Sequence, residues 1–110
     1  GEDLQLTECK QSWDFIHVKD VARAMYMLGT SECEAGIYNI ASGNSKQLKD
    51  YVLDMKKITN SSSKLEFGAI KYGAEGVVSF EPVVDKLRNN LDWTCQVSFE
   101  DGILDLLQYL

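Results

Sequence analysis

His17 is the only histidine among 110 residues, and carboxylates flank it at Asp14 and Asp20. A histidine acting as a general base needs an orienting carboxylate and a nucleophile within reach. In a strand, residues 15 and 17 share one face while 14 and 16 share the other. Asp14 is then badly placed for His17, and no Ser or Cys stands in an elbow context, so His17 reads as a packing residue. The other carboxylates are scattered. Glu32 with Glu34, and Glu100 with Asp101, read as solvated or helix-start charges. One histidine without ligand spacing gives no metal site. Lys71 and Tyr72 carry more chemistry, because Gly68, Gly73 and Gly76 bracket them. A Lys and a Tyr on a flexible loop can hold a diphosphate and stack on a base. The plain alternative is an ordinary exposed loop. Trp13, by residue type alone, is better placed in a core than against a ligand.

Glycine spacing excludes one familiar site. A dinucleotide loop needs G-x-G-x-x-G directly after a strand. Ser42-Gly43-Asn44-Ser45 holds a single glycine and reads as a strand-to-helix turn. Eleven basic against seventeen acidic residues give a net charge of -6, which argues against nucleic acid as a partner. A local basic spot still suffices for one diphosphate. No apolar run approaches the ~20 residues that cross a bilayer, and no leader pattern opens the chain, so the expected location is the cytoplasm. Cys9, Cys33 and Cys95 are odd in number and far apart, which fits free thiols in a reducing compartment.

The elements that must position these residues follow from periodicity. Leu4 to Glu8 alternates as a short strand, and Trp13 to Val18 is rich in aromatic and β-branched residues as a second. Val21, Met25 and Leu28 fall on one helical face, with Asp20 as cap and Gly29 as stop. Ile37 to Ala41 reads as a buried strand, and Ser45 caps a helix whose inner face is Leu48, Val52, Met55 and Ile58. A loop at Asn60 to Ser63 precedes a strand at Leu65 to Phe67, and Gly68 to Gly76 is irregular. Pro82 suits the first turn of a helix lined by Val84, Leu87 and Leu91. Ser98 with Asp101 resembles a capping box for a last helix striped by Phe99, Ile103, Leu106, Leu107 and Leu110. The order is strand, strand, helix, strand, helix, strand, helix, helix, so the fold class is α/β.

Three blocks in that order carry a resemblance. They are Trp13-Asp14-Phe15-Ile16-His17-Val18-Lys19-Asp20-Val21-Ala22-Arg23-Ala24, then Gly36-Ile37-Tyr38-Asn39-Ile40-Ala41-Ser42-Gly43, then Asp85-Lys86-Leu87 through Leu91-Asp92-Trp93 to Val97-Ser98-Phe99-Glu100-Asp101-Gly102-Ile103. They are similar to the R-D-F-I-H-V-x-D-V-A-x-A, G-x-Y-N-I-G-S-G and K-x-x-x-x-L-G-W-x-P-x-x-S-L-E-E-G-I segments of extended short-chain dehydrogenases/reductases, the NAD-dependent nucleotide-sugar epimerases and dehydratases. Gln11 to Phe15 and Phe67 to Tyr72 look most like the bacterial deoxysugar branch, whose reductases and epimerases act on CDP- or dTDP-linked sugars.

The resemblance implies that residues 1–110 are the small C-terminal substrate-binding lobe, with a strand and helix that would join a Rossmann sheet. The NAD or NADP site and the catalytic Tyr-x-x-x-Lys would lie upstream. The piece itself would then hold no cofactor and no catalytic residue. Its partner would be a nucleotide-sugar, met by Trp13, Lys71 and Tyr72, with Glu75 toward the ribose. Where Trp13 stands the family usually has Arg, and Gly73 follows Tyr72 where a second Arg is common. Those losses leave a second reading open, a non-catalytic binding or interaction module derived from the lobe. In either case, the face normally turned to the Rossmann domain would be exposed. Self-association through the Tyr38 strand or the Met25 helix face is then expected.

Overall fold

The computed structural model describes all of residues 1–110, and they divide into two compact units. The first comprises Gly1–Trp13 with Lys46–Phe80. Strand β1 (Leu4–Leu6) pairs in parallel with β4 (Leu65–Phe67), Leu4 opposite Leu65. Strand β2 (Ser12–Trp13) pairs antiparallel with β3 (Lys46–Gln47), which runs straight into α2 (Leu48–Ile58). The first N–H groups of a helix have no partner inside it. Here the Leu48 and Lys49 amides donate to the carbonyls of Gln11 and Cys9, both at 2.8 Å. The main chain of the neighbouring segment thus does the capping, and Ser45 does not. Of the expected inner face, Leu48, Val52 and Ile58 are half-buried and Met55 is exposed, while Tyr51 is the buried residue of α2.

The second unit comprises Asp14–Ser45 with Glu81–Leu110 and has three helices, α1 (Val18–Thr30), α3 (Asp85–Leu91) and α4 (Phe99–Leu107). Its core is Ala24, Leu87 and Trp93, with Ile16, Met27, Leu28, Tyr38, Ile40, Leu91 and Cys95 packed around them. The expected strand over residues 13–18 is cut short because α1 starts at Val18, and Trp13 alone of that run is in a strand. The α1 cap is His17, whose Nδ1 accepts from the Lys19 amide at 3.1 Å; it is not Asp20. Gly29 lies inside the helix, which ends one residue later. The buried face of α1 runs through Asp20 and Ala24, so Met25 is left 61% exposed.

Ile37 to Ala41 forms no strand. Tyr38 and Ile40 turn to the core, but no other strand lies beside them, and Ile37 is 88% exposed. A strand exists only as a pair, and burial of alternate side chains does not replace the missing ladder. The expected number of strands is nevertheless found, because β3 supplies the third. Pro82 precedes α3 by three residues and is not in its first turn. Ser98 caps α4 as expected, its Oγ accepting from the Asp101 amide at 3.1 Å. Of the α4 stripe, Leu106, Leu107 and Leu110 are exposed. No helix is long and apolar enough to cross a membrane.

Candidate substrate-binding site

All four candidate ligand residues fall in the first unit. The chain from Ile70 to Phe80 runs along the chain from Leu6 to Trp13 as a strap. The Ile70 amide donates to the Leu6 carbonyl at 3.0 Å, and the Phe80 amide to the Ser12 carbonyl at 2.8 Å. Between these ends, the Tyr72 hydroxyl accepts from the Lys10 amide at 3.0 Å and donates to Gln11 Oε1 at 3.2 Å. Tyr72 is therefore half-buried, with its oxygen engaged in holding the strap.

Trp13 is fixed from several sides. Lys46 opposes it in β3, and the Tyr51 hydroxyl donates to its carbonyl at 3.3 Å. Its neighbour Ser12 donates an N–H to Ser79 Oγ at 3.1 Å. The indole stays 37% exposed and meets the Phe80 ring at 5.6 Å between centroids, tilted by 46°. Trp13 thus belongs to no buried core; Trp93 is the buried tryptophan. Lys71 and Glu75 stand in solvent, Glu75 in a turn closed by the Gly76 amide on the Gly73 carbonyl at 3.0 Å. The structure brings Trp13 and Tyr72 onto adjacent segments and leaves Lys71 and Glu75 without ion-pair partners. Phe80, Lys10 and Gln11 belong to the same surface. Nothing in the spacing of Phe80 marks it beforehand, because its partner Ser12 is far away in the chain.

Charge is unevenly divided. The first unit holds seven lysines, no arginine and seven carboxylates, whereas the second has ten carboxylates against four cations. The whole net charge of -6 thus resides in the second unit, and the first is neutral. In the first unit Lys10 pairs with Glu8, Lys46 with Asp54 and Lys64 with Glu66. The hydrogen bond that it donates to Glu8 holds the Lys10 ammonium above its ordinary pKa. Glu8, Lys10, Gln47, Lys49, Phe67 and Gly68 line a cleft of about 430 Å3, and Lys49 lies 4.9 Å above the Phe67 ring.

A dinucleotide does not fit the Gly43 turn in the second unit. The Ser42 and Gly43 amides both donate to the Asp14 carboxylate at 2.9 Å, and the Asn44 amide to Ser42 Oγ at 3.0 Å. The side chains of Arg88 and Val84 fill the space beside Gly43. The amides that would cradle a pyrophosphate at this turn are already hydrogen-bonded within the chain. His17 is likewise committed. Its Nδ1 accepts from Lys19, and its Nε2 pairs with Asp105 at 3.2 Å, leaving no ring nitrogen for a substrate.

An arrangement of short strands and helices in these two units recurs in solved enzymes. The UDP-glucuronic acid 4-epimerase of Bacillus cereus, solved with UDP-glucuronic acid and NAD, superposes on 97% of this chain with a TM-score of 0.80 at 19% identity, and this chain covers 34% of it. Sequence agrees. CDP-abequose synthase of Salmonella muenchen is 31% identical over 109 residues, which is 97% of this chain and 37% of that protein. UDP-N-acetyl-alpha-D-glucosaminuronate decarboxylase of Bacillus cytotoxicus is 27% identical over 114 residues, 99% of this chain and 36% of that protein. No protein-family model matches the chain. By fold, this is an α/β segment of Rossmann-type enzymes, and it spans about a third of the length of the curated relatives it matches. The relatives and solved structures that it matches are nucleotide-sugar epimerases, dehydratases and related enzymes of the extended short-chain dehydrogenase/reductase family, and this chain corresponds to their C-terminal part.

Proposed function

We propose that residues 1–110 form the substrate-binding C-terminal region of an NAD(P)-dependent nucleotide-sugar epimerase, dehydratase or reductase, inactive by itself. The first unit holds the nucleotide half of the substrate, through Trp13, Lys71 and Tyr72, with Glu75 toward the ribose. NAD or NADP and the reacting sugar carbon belong to the rest of such an enzyme. Nucleotide binding remote from the reacting carbon positions that carbon for the hydride. The observation that carries the reading is the strap. It ties the Tyr72 segment to the Trp13 segment and keeps an exposed indole and an unpaired Lys71 on the neutral, lysine-only unit. A dianionic diphosphate meets no net repulsion there, although a lysine supplies a point charge and not a bidentate fork. A CDP- or dTDP-linked sugar is the proposed ligand; CDP-abequose synthase, at 31% identity, supports the first. The three free cysteines support a cytoplasmic location. The exposed Met25 face and Ile37 segment support self-association.

Titration with CDP-, dTDP-, UDP- and GDP-linked sugars tests this, read by tryptophan fluorescence and by melting shift. Saturable binding of one member, weakened by Lys71→Ala, is expected. Absence of binding across the panel would sink the proposal. The absence of arginine from the first unit favours a second reading, a binding or interaction module that has left catalysis. A panel without binders, together with a stably folded chain, is the outcome that reading expects.

A further inference from the structure

We infer that His17 is a proton-operated joint between α1 and α4: the neutral ring ties both helices, and a proton on Nδ1 releases the α1 side while the α4 side holds. The inference stands apart from the nucleotide reading, because His17, α1 and α4 all belong to the second unit. The two ring nitrogens face partners with opposite demands. Nδ1 lies 3.1 Å from the Lys19 amide, which can only donate, so Nδ1 must offer a lone pair. The one proton of the neutral ring is then on Nε2, which donates it to Asp105 Oδ2 at 3.2 Å. A second proton has one place to go, and that is Nδ1. There it turns an acceptor into a donor aimed at a donor, and the bond to the Lys19 amide is lost. The bond to Asp105 becomes charge-assisted and is kept. The ring is only 8% exposed, so water does not readily replace either partner.

The surroundings let the joint move. The other Asp105 oxygen has Lys19 Nζ at 3.6 Å, and that ammonium is 66% exposed, so it can yield the carboxylate to a charged ring. Asp20 on α1 takes no part, because its carboxylate accepts from the Gln96 and Val97 amides and from Arg23. On α4, Glu100 and Asp101 are exposed to solvent. The ring lies against Gly102, where a Cβ would come within 3.1 Å of Cδ2. The bare glycine leaves the ring room to pivot about its Asp105 bond once Lys19 lets go. The Asp20 and Val21 amides still donate to the His17 carbonyl, at 3.0 and 3.2 Å, so the first turn of α1 survives and the change stays local. His17 forms one wall of a largely apolar pocket of about 250 Å3, together with Phe15, Val18, Phe99, Ile103 and Leu106. Proton uptake therefore reshapes that pocket and puts a charge in its wall.

The test is nuclear magnetic resonance of the 15N-labelled 110-residue chain between about pH 8 and about pH 5.5, the range in which an imidazole changes charge. Ring nitrogen shifts read the tautomer and the uptake of the proton. Exchange of the Lys19 amide, corrected for its intrinsic pH dependence, reads the cap. The expected result is a proton on Nε2 at the alkaline end. As the ring charges, protection of the Lys19 amide falls about fivefold, the worth of one capping bond, while the Asp20 and Val21 amides keep theirs. His17→Asn supplies a capping oxygen that does not titrate, so its Lys19 protection stays flat with pH. Gly102→Ala gives a second readout in urea. Its deficit in unfolding midpoint shrinks toward the acid end, because a ring freed at one nitrogen gives way to the methyl. A neutral ring with its proton on Nδ1 would overturn the inference, and so would a ring that charges while Lys19 protection is unchanged. A Gly102→Ala deficit equal at both ends of the range would overturn the pivot.

Discussion

Asp20 is 1% exposed, and its two carboxylate oxygens accept the Gln96 and Val97 amides, each at 3.0 Å, with Arg23 as a third donor at 3.3 Å. Burial alone pushes the carboxyl up, but the two amides and Arg23 outweigh it and hold Asp20 below its ordinary value. A depressed folded value means that the carboxylate's contribution is fully present above the unfolded pKa of about 3.9 and is lost as pH falls through the folded one. Asp20→Asn turns an N–H toward an N–H and leaves Arg23 unpaired, which costs about 2–4 kcal/mol at neutral pH. Urea unfolding at pH 7 and at pH 3 is expected to show the variant's deficit shrinking in acid. A deficit equal at both pH values would show that the charge is irrelevant. The same carboxylate sits beside Cys95, whose thiol is pushed up to about 11 by burial first and then by the Asp20 charge. Only thiolates alkylate at useful rates. Cys95 is therefore expected to react with iodoacetamide at pH 8 well behind Cys33, as mapped by mass spectrometry. None of this was readable locally. The sequence suggests Asp20 as a helix cap because caps are short-range, whereas its true partners lie 76 and 77 residues downstream.

At the scale of elements, His17 joins two helices. It caps α1 through Nδ1 and binds Asp105 of α4 through Nε2, and its ring lies against Gly102, where a Cβ would come within 3.1 Å of the ring's Cδ2. A ring held at both nitrogens cannot retreat. Gly102→Ala is accordingly expected to destabilise the wild-type chain, although alanine in a helix interior gains up to about 1 kcal/mol over glycine. His17→Ala, which removes the cap and the Asp105 bond, costs about 1–2 kcal/mol. In that background, Gly102→Ala should become stabilising, because the ring that opposed it is gone. Chemical denaturation of the four proteins reads the change of sign, and destabilisation in both backgrounds would mean that something other than His17 opposes the methyl. Element types and order were legible here because caps, glycine turns and apolar periods are local properties, as Ser98 and the loop at 60–63 illustrate. Ile37 to Ala41 departs from its sequence pattern for the complementary reason: strand formation depends on a neighbour, and composition only says that the segment would suit one.

Across the whole molecule, the division of charge sets two salt effects against each other. Ten carboxylates against four cations make the second unit self-repelling, and added salt screens that repulsion. Raising sodium chloride from about 20 mM to 300 mM, across which the Debye length falls from roughly 20 Å to 6 Å, should raise the melting temperature. Hydrogen exchange should place the gain in the second unit, at amides around Leu87 and Trp93, with little change in β1, β4 and α2. Ligand binding should respond in the opposite direction. The proposed nucleotide site lies in the neutral unit and attracts its diphosphate through Lys71, an exposed charge that salt screens as readily as it screens the repulsion elsewhere. Nucleotide affinity is therefore expected to fall over the range in which the protein becomes more stable. Lys71→Ala should flatten the salt dependence of binding while leaving that of melting unchanged. Should stability and affinity rise together with salt, electrostatic attraction would have no part in ligand capture, and the diphosphate would lose its assigned place beside Lys71.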